Sequence, residues 1–71
     1  MTENEHSQFI ITLTGVAEIY GAHLSEAALE LWWEDVQDLA LADVKRAFAA
    51  HRRDTERGQF MPKPADIRRA A

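Results

Sequence analysis

Gln8-Phe9-Ile10-Ile11-Thr12-Leu13-Thr14-Gly15-Val16-Ala17-Glu18-Ile19-Tyr20 is the stretch on which the fold turns, because it reads two ways. Ile10, Ile11, Thr12 and Thr14 are β-branched, lower helix propensity and suit a short strand. Phe9, Leu13, Val16 and Tyr20, however, fall at steps of four, three and four, which stacks them on one side of a helix. That spacing decides for helix. The helix is expected to begin after Asn4 or Ser7, either of which supplies an N-cap acceptor, and to run to about Ala22, with residues 1–6 fraying. Gly15 is read as a close helix crossing and Gly21 as the C-cap region.

Working outward, Leu24-Ser25 reads as a staple residue followed by an N-cap, with Glu26 at the positive end of the next helix dipole. A second helix over about Glu26 to Gln37 then carries Leu29, Trp32, Trp33 and Val36 as its apolar members. Adjacent tryptophans on a helix point about 100° apart, so full burial of both needs cover on two sides, and one is expected to be half exposed. The pattern breaks around 38–42. It restarts as a third helix from Leu41 to Arg53, whose inward stripe is Leu41, Val44, Ala47, Phe48 and His51. Residues 54–63 read as a polar loop, with Pro62 and Pro64 holding an extended lead-in. Pro64 is an acceptable first-turn residue, so 64–70 is expected to be a short helix folded back through Phe60, Met61 and Ile67. The expected architecture is all-α: one small bundle of three main helices plus a short C-terminal helix.

A chain of 71 residues has little core to spare, and with no cysteine it relies on packing alone. No apolar run approaches the ~18 residues of a membrane span, and the first residues are acidic where a signal peptide is basic, so a soluble intracellular protein is expected. Charge is polarised along the sequence. Residues 1–40 carry eight carboxylates and no lysine or arginine, while residues 41–71 carry all eight basic side chains against four carboxylates. Such polarity steers a partner of opposite sign, or draws the two halves of the chain together.

Chemical sites are hard to assemble from these residues. His6, His23 and His51 fall one per segment, without a ligand at the three- or four-residue spacing that builds a metal site on one helix. Ser7 and Ser25 are explained as caps rather than nucleophiles, and the three glycines form no phosphate-cradling loop. Neither an enzyme nor a cofactor is expected, and the reading is a protein that binds another macromolecule. For a protein partner, the candidate residues are Glu30, Trp32, Trp33 and Glu34, because uncovered tryptophan is enriched at interaction hot spots. For nucleic acid, Lys45 and Arg52 repeat the seven-residue spacing of Arg46 and Arg53, giving a double basic row joined by Arg68 and Arg69. Against nucleic acid stand a pI near 5.2 and the carboxylates of Glu30, Glu34 and Asp35, which are expected to neutralise those rows. A homo-oligomer with the exposed tryptophan at its subunit interface is a third reading, and the oligomeric state is left open.

The order of features also resembles a known family. A first helix ending in an aromatic, Leu24-Ser25, the segment Leu29-Glu30-Leu31-Trp32-Trp33, the spacing of Val44, Ala47 and His51, and the closing Phe60-Met61-Pro62-Lys63-Pro64-Ala65-Asp66-Ile67 together look like the helical domain of phage-encoded replicative helicase loader and inhibitor proteins. The resemblance spans about Phe9 to Ile67. It implies a phage or prophage origin, the cytoplasm of a bacterial host, and a role in loading or holding inactive a replicative helicase or initiator. Longer members of that family continue into a tail that contacts the helicase, whereas this sequence stops at Ala71. If the tail carries that contact, the expectation is loss of helicase binding or inhibition of another host protein.

Overall fold

The computed structural model describes all 71 residues, and every regular element in it is helical. Four α-helices follow in order: α1 (His6–Ile19), α2 (Glu26–Val36), α3 (Leu41–Arg53) and α4 (Pro64–Ala70). Single turns of 3₁₀ helix precede α1 at Glu3–Glu5 and precede α4 at Arg57–Gln59.

The Phe9, Leu13, Val16 stripe resolves as its spacing requires: all three are buried in one cluster, with Tyr20 at its edge. The start of α1 differs from the expectation. Residues 3–5 form a 3₁₀ turn that runs into α1 at His6, and neither Asn4 nor Ser7 caps the helix. Instead the Glu5 carboxylate accepts the Thr2 backbone N–H at 2.9 Å and the Thr2 hydroxyl at 3.3 Å, while Met1 packs against the core. The α-amino group of Met1 donates to the carbonyls of Gln37 and Leu39, anchoring this segment beyond the end of α2.

At its other end α1 stops three residues short of Ala22 because Gly21 turns left-handed, at φ 68°. The Ala22 N–H then reaches the Ala17 carbonyl at 2.8 Å and the Gly21 N–H reaches Glu18 at 3.0 Å. This paired pattern satisfies carbonyls that the helix end would otherwise leave open, and only glycine adopts that backbone angle without steric cost. Ser25 caps α2 by accepting from the Ala28 N–H at 3.1 Å, as its position before Glu26 predicts.

Gly15 marks no helix crossing. A methyl group placed there meets nothing within 4 Å, so the residue sits on the outer side of α1 where no neighbour needs the space. Glycine in an exposed helix interior costs roughly 0.5–1 kcal/mol relative to alanine. Gly15→Ala is therefore expected to raise the unfolding free energy by about that amount in urea titration; a decrease would mean the outer face of α1 is covered.

α1 lies against α2 and α3, while α4 packs against α3 and α2 from the other side and inserts Ile67, fully buried, into the common core. Pro62 is buried just before it, so the extended lead-in is itself packed. Within the core Trp32 and Phe48 meet in a tilted aromatic pair, ring centroids 5.8 Å apart, linking α2 to α3. Phe60 departs from the expectation. Met61 and Ile67 fold back, but Phe60 points outward with 72 % of its surface exposed. Phe60 is extended and held through its backbone, its N–H on the Arg57 carbonyl and its carbonyl on His51, while Met61 and buried Pro62 make the return to the core.

Candidate functional site

The tryptophan pair divides unequally. Trp32 is 7 % exposed and belongs to the core, so it is unavailable to a partner in the folded chain. Trp33 is half-buried on the α1 side, where His6 meets it edge-on at 4.6 Å and Phe9 lies at 5.8 Å. Of the four residues proposed for protein contacts, Glu30, Glu34 and the uncovered part of Trp33 lie at the surface, and Trp32 does not.

Glu26, Glu30 and Glu34 repeat every fourth residue along the outer side of α2, all exposed, and none of them enters an ion pair. Leu31, 59 % exposed, lies on that outer surface as well. The ridge is thus an uncompensated acidic row with apolar surface available beside it. Lone exposed apolar residues are ordinary, but here an exposed leucine and a partly covered tryptophan share one helix with three unpaired carboxylates.

The basic half is compensated differently from the sequence-level expectation. Glu30, Glu34 and the Asp35 carboxylate neutralise nothing on α3. The pairs that form are Asp43 with Arg46, Asp38 with Arg68, and Asp66 with Arg69, because those carboxylates lie one helical turn away or across the α2–α4 contact. Arg68 makes the most organised contact: it donates to both carboxylate oxygens of Asp38, at 2.6 and 3.0 Å, and to the Asp35 carbonyl at 2.9 Å. It is a fastening between α4 and the end of α2. Lys45, Arg52 and Arg53 remain exposed on α3 without a carboxylate partner.

Around the end of α3 the chain builds a second, more detailed feature that composition alone did not reveal. The Asp54 carboxylate accepts the backbone N–H groups of Glu56 and Arg57 at 2.9 and 3.0 Å, and the Asp54 carbonyl accepts Gly58 N–H at 2.8 Å. These bonds fold 54–59 back onto α3. The Tyr20 hydroxyl donates to the Gly58 carbonyl at 2.7 Å, and His51 Nε2 donates to the Phe60 carbonyl at 2.8 Å, which fixes the tautomer or charge state with a proton on Nε2. Between this turn and α4 lies a cleft of about 210 Å³ lined by His51, Asp54, Arg57, Asp66 and Arg69, and it continues past Phe60 and Lys63. Arg57, Lys63 and Phe60 line this cleft, and none is a candidate on the sequence alone because they fall between α3 and α4. The sequence signal was an aromatic set between two cations, Arg57 and Lys63, three residues to either side.

Three carboxylates are held below the ordinary aspartate range. Asp54 is lowered chiefly by the Arg57 and then the Glu56 backbone N–H, Asp66 by the Lys63 N–H that starts α4, and Asp38 by its hydrogen bonds from Arg68, which is raised in turn. A lowered folded-state value means the folded chain binds protons more weakly than the unfolded chain. The stabilisation is therefore present above the ordinary carboxylate range and lost as pH falls through and below it. The melting temperature is expected to decline as pH is lowered from about 5 to about 3. Asp38→Asn combined with Asp66→Asn should flatten that decline; an unchanged slope would show that these contacts do not set acid stability.

No three His, Cys, Asp or Glu side chains converge as metal ligands, and no helix is long and apolar enough to cross a membrane. Comparison of the chain with models of protein families, with curated proteins and with solved structures returns no match.

Proposed function

We propose that this chain is a protein-interaction module of the phage or prophage kind that binds a replicative helicase or its initiator and modulates loading. The observation that supports contact through α2 is the unpaired Glu26, Glu30, Glu34 row, running beside exposed Leu31 and half-covered Trp33. The helicase itself comes from the family resemblance of residues 9–67. An acidic strip with adjacent apolar anchors suits a partner that presents basic residues around an apolar contact, with charge setting encounter rate and register. Inhibition of a different host protein would use the same strip.

The test is affinity capture from bacterial host lysate followed by titration of the purified helicase and initiator. Recovery of either, with binding abolished by Glu30→Lys plus Glu34→Lys in a variant of unchanged circular dichroism, is the expected result. Retention of an unrelated protein, or binding indifferent to the charge reversal, would remove the helicase reading or the α2 surface respectively.

A further inference from the structure

We propose that the cleft between the end of α3, the 57–59 turn and α4 binds single-stranded nucleic acid, with one base stacked on Phe60 and neighbouring phosphates held by Arg57, Lys63 and Arg69. This site lies apart from the acidic strip of α2 and stands independently of the helicase reading.

Phe60 is the first support. Its ring is 72 % exposed, yet its backbone is held at both ends: its N–H donates to the Arg57 carbonyl at 3.3 Å and its carbonyl accepts from His51 Nε2. Folding gains little from a phenyl ring left in water, so its presentation on an anchored backbone is unexplained by the core. With the backbone already fixed, only the two side-chain torsions remain to be ordered when a flat partner stacks on the ring.

The cations are the second support. Arg57, Lys63 and Arg69 line the same cleft as Phe60. Arg57 and Lys63 pair with no carboxylate, and Arg69 has only a loose contact, 3.7 Å, to Asp66. The two acidic groups in the cleft are already engaged: Asp54 accepts two backbone N–H groups and Asp66 accepts that of Lys63. Both carboxylates stay ionised, but their oxygens are engaged by backbone donors, and the three cations Arg57, Lys63 and Arg69 outnumber them in the cleft.

An anion next to a flat π-face, repeated at each residue, is the chemistry of a nucleotide strand. An acidic peptide would satisfy the arginines and leave Phe60 without a stacking partner. A duplex keeps its bases stacked on one another and offers Phe60 no open face, and α4, the helix beside this cleft, has seven residues and packs against α2 and α3. The eight carboxylates of residues 1–40 disfavour a polyanion along α1 and α2, which limits the strand to the basic half of the molecule and to a few nucleotides.

The experiment is fluorescence anisotropy of a labelled oligothymidylate of about ten nucleotides, at low salt and across a salt series. Saturable binding by the wild-type chain is expected, with a salt slope near −2 for about three phosphates neutralised. Phe60→Ala should weaken it about tenfold or more while Phe60→Tyr retains it, because tyrosine keeps the stacking face. Arg57→Ala plus Lys63→Ala should reduce both the affinity and the slope. Phe60 and these cations are exposed, and circular dichroism of each variant checks that the fold persists. The proposal is overturned by absence of binding at low salt, by Phe60→Ala binding like wild type, or by a duplex or a polyglutamate peptide competing as well as the single strand.

Discussion

Trp32→Ala is expected to remove about 3–5 kcal/mol, a third or more of the folding free energy, whereas Trp33→Ala loses much less. Truncating a buried tryptophan costs about 3–5 kcal/mol, through lost burial and the cavity left behind. A domain of this size has only about 4–10 kcal/mol in total. Trp32 is almost fully enclosed and joins α2 to α3 through Phe48, so its removal opens the centre of the bundle. Trp33 lies at the edge, where truncation gives up contacts with His6 and Phe9 worth about 1–2 kcal/mol. Urea titration followed by far-UV circular dichroism separates the two. Equal losses would mean the two rings are equally covered. The same reasoning disqualifies Trp32→Ala as a probe of binding, since any loss of partner would follow from loss of fold.

Gly58→Ala is the second substitution expected to cost heavily, by about 2–4 kcal/mol. A Cβ at this position collides with the His51 carbonyl oxygen and comes within 3.2 Å of that of Arg52, both rigid backbone atoms at the end of α3. The 54–60 segment would have to lift away. Lifting it breaks the Tyr20 hydroxyl bond to Gly58, the Gly58 bond to Asp54 and the His51 bond to Phe60 together. For a domain this small such a loss corresponds to roughly 10–25 °C in melting temperature. A shift of only a degree or two would show that the turn yields without resistance.

The helices were legible because their information is local. Phe9, Leu13 and Val16 carry their spacing with them, Ser25 announces α2, and Pro64 announces α4. What escaped was set by neighbours distant in sequence. Which tryptophan is covered depends on how α1 and α3 flank α2, and no periodicity within α2 contains that. Gly15 and Gly58 look alike in the sequence, yet one faces open space and the other touches the backbone of α3. The acidic row of α2 was visible as a candidate surface. The compensation of the basic half was not, since Asp38 and Arg68 stand 30 residues apart and meet only when α4 docks. Phe60 is expected in the core because apolar residues usually go there, and nothing in its local sequence marks it as the exposed one beside Met61 and Pro62.

The short turn after α2 receives donors from both extremes of the chain: the Met1 amine on the carbonyls of Gln37 and Leu39, and Arg68 on Asp35 and Asp38. Positive charge therefore gathers where the α2 dipole is negative. Every one of these links spans 30 residues or more, so none forms until the whole molecule has collapsed. Amide protons on α3 and α4 should exchange with solvent through one shared global opening, and the domain melts as a single cooperative unit.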